Sequence, residues 1–330
     1  MKDKNFVEKN VIFLISLPRS GSTLLQSIIG GNSYVHTTPE PWITLPLLYS
    51  QNQKGVESEY DHITATIASS ELFESMLNGQ KVLNEARINY LTTIYKQIIE
   101  ESGKRFYLDK TSRNYLVIKE LKELFPNGKF IFLIRNPISV FASYLNFMVF
   151  NNWSWFSKPN FKKDLLDGYQ FLAEGIKRTK KNNFLISYEK VINHPKDSLV
   201  EICNFLELPF EKDMINYQNC LIKMKGRLID PKAIHKHKNP VKKYLDSWRK
   251  TIDTPFKSRI VNEFIDVIGE KNLTTLGYKT KSLKYELKYN DQLKDDYPEV
   301  SLNLLFKSKN KLSKVEKAII DSFLDKENKK

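Results

Sequence analysis

Val11-Ile-Phe-Leu-Ile-Ser-Leu-Pro-Arg-Ser-Gly-Ser-Thr23 is the stretch on which the reading of this chain turns. Its five leading apolar residues, Val11 to Ile15, read as a strand buried on both faces. Pro18 to Thr23 reads as a tight polar turn, and Leu24-Leu-Gln-Ser-Ile-Ile29 has the apolar spacing of a helix. A strand, a Gly/Ser/Thr turn and a helix in that order aim unpaired backbone N–H groups and a helix dipole at an anion. Arg19 adds a fixed positive charge. The stretch therefore predicts a phosphate-binding loop.

The 330 residues suffice for one large domain or two small ones, and the apolar fraction of 41% is that of an ordinary soluble protein. No apolar run approaches the roughly 18 to 20 residues of a membrane span. Met1-Lys-Asp-Lys-Asn-Phe6 has no apolar signal core, so a cytoplasmic setting is expected. Cys203 and Cys220 fit neither a disulfide framework nor a zinc site, and Cys203 falls in an apolar helical pattern. The net charge of +14 favours anionic partners. From Lys223 to Lys250 the bases include Arg227, Lys236, Lys238, Lys242 and Lys243, against only Asp230 and Asp246 as acids. Such a one-sided run suggests a segment that covers an anion.

Along the chain, Tyr34 to Trp42 closes a short second strand. Helical spacing follows at 44–50 and 61–77, and Asn84 to Glu101 reads as an amphipathic helix. Arg105-Phe-Tyr-Leu108 ends in Asp109-Lys110-Thr111, ahead of a helix over 114–125. Lys129-Phe-Ile-Phe-Leu-Ile134 ends in Arg135-Asn136-Pro137, where proline suits a first helical turn. Residues 144–156 are unusually aromatic, open to core packing or to lining an acceptor pocket. A helix over 164–180, a strand over Asn183 to Ser187 and a helix over 197–206 complete the pattern. Strands alternating with helices predict an α/β domain with a mainly parallel sheet over residues 1–280. Residues 281–330 are expected to be a charged C-terminal extension with one amphipathic helix at 311–327.

Parallel strands place their carboxyl ends on one edge, where ligands of such folds bind. Three polar clusters sit at those ends: Arg19-Ser-Gly-Ser-Thr23, Asp109-Lys110-Thr111, and Arg135-Asn136-Pro137 with Ser143 two helical turns on. A nucleoside-triphosphate loop has the pattern G-x-x-x-x-G-K-[ST]. Here the first Gly is missing and Ser22 stands where the Lys should be, which makes an Mg-ATP-dependent P-loop kinase the weaker choice. A non-enzymatic polyanion-binding protein is the other alternative; its binding would be steeply salt-dependent and indifferent to Glu40 and Lys110.

These residues resemble the sulfotransferases that use 3′-phosphoadenosine 5′-phosphosulfate (PAPS), over roughly residues 9–250. The resemblance implies a P-loop-containing three-layer sandwich, a central mainly parallel sheet flanked by helices, PAPS as donor, 3′-phosphoadenosine 5′-phosphate (PAP) as product, and no metal requirement. Arg19, Ser20, Gly21, Ser22 and Thr23 are similar to the 5′-phosphosulfate loop, and Arg135 with Ser143 to the 3′-phosphate element. Tyr188 matches a tyrosine near the adenine. Pro240 to Trp248 resembles the segment that folds over the nucleotide, where Lys238, with Lys236 or Lys242 as alternatives, would close over the 3′-phosphate.

Within that family the nearest pattern is the tyrosylprotein and related bacterial branch, whose general base is a glutamate in the turn matched here by Glu40. Lys110-Thr111-Ser112 lacks the histidine that serves small-molecule members, which favours Glu40, with His36 in reserve. Lys110 would neutralise charge on the leaving oxygen, and Arg19 would act with it at the 5′-phosphate. The structural alternatives are a solvated turn acid for Glu40, an ion pair with Asp109 for Lys110, a surface serine for Ser143 and a core aromatic for Tyr188. The tyrosylprotein enzymes carry arginines shortly after the glutamate and a membrane anchor. Glu40-Pro-Trp-Ile-Thr-Leu-Pro-Leu47 has no arginine, and no membrane anchor is expected. The expected acceptor is a small hydroxylated metabolite, lipid or sugar, lined by Trp42, Leu45 and the 144–156 aromatics; a protein tyrosine is the alternative. No specific nucleic acid is expected.

Overall fold

The apolar run becomes β1 (Val11–Ser16), and each of its six residues is buried. It occupies the middle of a five-stranded sheet in the order β2-β3-β1-β4-β5, with β2 (Val35–Thr37), β3 (Phe106–Asp109), β4 (Lys129–Ile134) and β5 (Asn183–Ser187). All the pairings are parallel, and Phe13 is level with Asp109 on β3 and with Phe130 on β4. The computed structural model describes residues 2–148, 152–218, 220, 239–287 and 294–327.

Alternation along β1 divides the core. Val11, Phe13 and Ile15 face one hydrophobic cluster, Ile12 and Leu14 the other. Helix α1 (Lys2–Asn10) leads into β1, and α2 (Ser22–Ile29) leaves it, burying Leu25, Ile28 and Ile29 on the second face. The first face is covered by α3 (Thr44–Tyr49), α5 (Gly79–Ser102), α6 (Ile118–Leu124) and α7 (Pro137–Phe147), while α4 (His62–Ser75) lies outside α5. The result is three layers around a parallel sheet. Burying one side chain such as Phe13 contributes roughly 1.5–3 kcal/mol. The chain leaves β1 to one side for β2 and β3, then returns to the other for β4. That reversal places a switch point at the carboxyl end of β1, where open α/β sheets bind ligands.

Two helices begin differently from their sequence pattern. The segment after β3 starts as a 3-10 turn at Asn114–Val117. The helix expected over 164–180 starts as a π turn at Lys163–Asp167 before Gly168–Arg178. The wider turn carries Asp164, 1% exposed, which accepts hydrogen bonds from Arg113 Nε (3.0 Å), Arg113 Nη2 (2.6 Å), Tyr115 Oη (2.6 Å) and Tyr144 Oη (2.8 Å). A buried carboxylate needs such partners, and satisfying them offsets the poorer helical geometry.

The aromatic run splits. Tyr144, Trp153 and Phe156 are buried in the core, with Phe156 stacked on Phe141 and Trp153 edge-on to Phe323. Leu45 is buried there too, and none of these four lines the cavity beside the loop after β1, whereas Phe147 of the same run does. Residues 149–151 lie outside the described residues. Phe306 and Phe323, from the C-terminal stretch, join Trp153, Phe156 and Phe256 in the same cluster. Among the described residues no helix is long and apolar enough to cross a membrane.

Candidate active site

The loop after β1 turns on two residues in the left-handed region, Arg19 (φ 68°) and Gly21 (φ 90°). A Cβ at Gly21 would stand 2.4 Å from a ring carbon of Tyr188, so both the conformation and the packing call for glycine. Gly21 also caps α2 without a side-chain acceptor. The N–H groups of the first turn are therefore left for a ligand. Gly21, Ser22, Thr23 and Leu24 line a cavity of about 360 Å³, while Ser20 lies buried beneath the turn.

The opposite wall comes from β4 and α7. Asn136 caps α7 by accepting from the Ile138 N–H (2.9 Å), with Pro137 in the first turn, and this fixes where Arg135 and Ser143 project. Arg135 donates from Nη1 to the Arg19 carbonyl (3.0 Å) and lies over the Tyr188 ring (4.3 Å). Its Nε is buried and has no hydrogen-bond partner among the described residues. Arg19 donates from Nε to Ser143 Oγ (3.1 Å) and lies over Phe147 (4.8 Å). Arg19, Arg135, Ser143 and Tyr188 thus line one cavity, closed by Pro240, Tyr244 and Trp248. Asn146 and Phe147, from the aromatic run 144–156, also line it, as does Tyr217, which no sequence pattern marked as a site residue.

On the far side of Thr23 lies an ion pair. Lys110 Nζ is 2.7 Å from Glu40 Oε1 and 3.4 Å from Thr23 Oγ1. The pair is largely out of solvent, Lys110 being 3% exposed and Glu40 13%. Glu40 Oε2 accepts from the Trp42 indole N–H (3.0 Å) and the Ser112 hydroxyl (3.1 Å). Trp42 holds φ 52°, a conformation worth of order 1–3 kcal/mol of strain in a bulky residue. Its backbone N–H donates to Thr111 Oγ1 (3.3 Å). Sequence reading passed over the hydrogen bonds of Trp42 and Ser112; the signal available was a bulky residue just after the proline-flanked glutamate.

Lys110 pairs with Glu40 and not with Asp109. The fully buried Asp109 carboxylate accepts instead from Tyr95 Oη (2.6 Å) and Thr111 Oγ1 (3.2 Å). Burial pushes its pKa up to about 6, outweighing the lowering by those two bonds. Between about pH 4 and that value the folded chain keeps a proton that the unfolded chain has released, so stability should fall as pH rises through the window and level off above it. The two-unit shift corresponds to roughly 3 kcal/mol. Urea unfolding of wild type and Asp109→Asn across this range should show the slope in the wild type and a flatter one in the variant; parallel slopes would refute it.

Lys236 and Lys238 lie outside the described residues, and Lys242 is exposed. His36 sits on β2 beside Tyr107 (ring centroids 6.1 Å), its pKa lowered by burial and then by Lys104. Cys203 is a buried free thiol in the core. Among the described residues no group of three His, Cys, Asp or Glu could hold a metal ion.

The family model described as the sulfotransferase family matches residues 11–212, from β1 through the β5 region. The chain belongs to the sulfotransferase family. Sulfotransferases use PAPS as donor. Nodulation protein NoeE of Sinorhizobium fredii is 29% identical over 133 residues, 40% of this sulfotransferase and 30% of NoeE. Protein-tyrosine sulfotransferase A of Caenorhabditis elegans is 22% identical over 215 residues, 64% of this chain and 53% of that one. The chain thus spans less than two thirds of the length of either curated relative. The sulfotransferase domain from the curacin biosynthetic pathway has a similar fold, with TM-score 0.52 and 21% identity over 82% of this chain and 98% of that domain.

Proposed function

We propose that the chain transfers a sulfuryl group from PAPS to an acceptor hydroxyl, with Glu40 as general base. The observation that carries the reading is the place of Lys110. Its ammonium touches Glu40 on one side and the loop residue Thr23 on the other, so the proton acceptor and the leaving-group site share one cation. The cavity suits a nucleotide bisphosphate. At about 360 Å³ it is of ligand size, and it offers uncapped helix N–H groups, the Tyr188 ring and a buried guanidinium nitrogen awaiting a partner.

In this reading the first-turn N–H groups of α2 hold the 5′-phosphate, with Arg19 beside them. Arg135 and Ser143 hold the 3′-phosphate, and Lys238 is the proposed closing cation. Glu40 takes the acceptor proton as the acceptor oxygen bonds to sulfur. The bond from sulfur to the 5′-phosphate oxygen breaks, and its electron pair leaves on that oxygen, where Lys110 balances the charge. Stabilising charge that develops in a site short of water is the larger part of such catalysis. The acceptor proposed is the hydroxyl of a small metabolite, sugar or lipid. Arg113, next to the Ser112 that bonds Glu40, gives its charge to Asp164 and is not free to grip an acidic peptide.

Calorimetry with PAP, AMP and ATP in the presence of chelator tests the donor. PAP should bind roughly tenfold or more tighter than AMP, the worth of a charge-assisted contact to the extra phosphate. Equal affinities for PAP and AMP, or tighter binding of ATP, would sink the assignment.

A further inference from the structure

The carboxylate of Glu40 is held at both oxygens by chemically different partners. Oε1 meets the Lys110 ammonium, and Oε2 meets two neutral donors, the Trp42 indole N–H and the Ser112 hydroxyl. With an ammonium alone, a carboxylate on a flexible stem would follow that cation toward the loop. Two donors on the second oxygen fix the carboxylate plane. They reach it from the two segments that form the site's rim, Trp42 from the turn after β2 and Ser112 from the tip after β3.

The same two segments are tied again by the backbone. The Trp42 N–H donates to Thr111 Oγ1, and Thr111 in turn donates to buried Asp109. Trp42 makes its bonds from both backbone and ring with its φ at 52°, a value that bulky side chains avoid. A strained residue that bonds the candidate base from its own turn is a feature to be explained by the site and not by the core.

We infer that Trp42 and Ser112 are positioning residues that clamp Oε2 of Glu40 and so present Oε1 to the acceptor proton. This rests on the reading of Glu40 as the base. Lys110 has a second neighbour in Thr23 and can turn toward the leaving oxygen, while the two neutral donors keep the base aimed. Reactive groups must be held within about half an ångström of their working geometry. Losing one clamp therefore slows the chemical step without weakening donor binding.

The test uses the full chain and labelled PAPS, with a panel of phenols, alcohols, sugars and tyrosine peptides as acceptors and water as the default acceptor. Trp42→Phe keeps the ring and removes the N–H; Ser112→Ala removes the hydroxyl and Ser112→Thr keeps it. Trp42→Phe and Ser112→Ala should each lower kcat roughly tenfold or more, the loss expected for one hydrogen bond to a charged group. Acceptor KM, PAP affinity by calorimetry and melting temperature should stay near wild type, and Ser112→Thr should recover most of the rate. Wild-type kcat in both variants would overturn the inference, as would a loss of kcat matched by losses of PAP affinity and melting temperature. Glu40→Gln separates the two levels. If it stays active, the base assignment itself fails; if it is inactive while the clamp variants are not, only the clamp fails.

Discussion

Glu40→Gln should lower kcat by about 10²–10⁴-fold, the usual contribution of a positioned general base, with PAP affinity preserved or increased. Glutamine has nearly the same shape, and its carbonyl oxygen can still accept from Trp42 and Ser112. What it cannot do is take a proton or balance the charge of Lys110. Lys110 is 3% exposed, so removing its partner leaves an ammonium largely buried and unpaired. Breaking such a pair costs about 3–5 kcal/mol when fully buried, and Glu40, at 13% exposure, comes close to that condition.

The variant should therefore melt earlier than wild type when free of nucleotide, and PAP should return a disproportionate share of the loss. A 5′-phosphate beside Thr23 would give Lys110 a new counter-charge within reach of the same ammonium. Thermal melts of both proteins, with and without PAP, measure this alongside the rate. A variant that loses activity and stability equally with and without PAP would place the ion pair among structural contacts. Activity within tenfold of wild type would remove Glu40 from the chemistry.

The fold was legible because its signals are local and redundant. The apolar runs at 11–15 and 130–134 are too uniformly hydrophobic for anything but central strands, and each is followed by a polar turn at the carboxyl edge of the sheet. The loop at 18–23 was legible for the same reason. What stayed hidden depends on contacts between distant segments. No periodicity in 144–156 says that Trp153 will meet Phe323, or that Tyr144 will donate to Asp164 across a π turn. An ion pair of Lys110 with its neighbour Asp109 is the local alternative, but Lys110 lies just past the end of β3 and its ammonium meets Glu40, from the turn after β2, instead. Most of the aromatic run went into the core, while Phe147 of the same run lines the cavity. A run so rich in large rings is more stabilised by a shared core with Phe256, Phe264 and Phe306 than by facing a ligand.

Arg135→Ala should collapse the preference for PAP over AMP, and the ratio of the two affinities is the quantity to measure. Arg135 does two things in the structure. Its Nη1 donates to the carbonyl of Arg19, in the loop proposed to hold the 5′-phosphate, while its buried Nε, without a hydrogen-bond partner among the described residues, is the donor proposed for a second phosphate. The first role affects every nucleotide with a 5′-phosphate and so cancels in the ratio. The second affects only a ligand with a 3′-phosphate. A charge-assisted bond of about 1.5–3 kcal/mol predicts a loss of discrimination of roughly 10- to 150-fold. Arg135→Lys should recover part of it, because an ammonium restores the charge without the planar group that lies over Tyr188. Raising the salt should weaken PAP binding to wild type more than to the alanine variant, since one fixed charge is missing from the second. If PAP and AMP lose affinity by the same factor, Arg135 is a prop for the loop and the 3′-phosphate must be bound elsewhere. If only PAP weakens, the wall built by β4 and α7 is what tells this nucleotide from its simpler relatives.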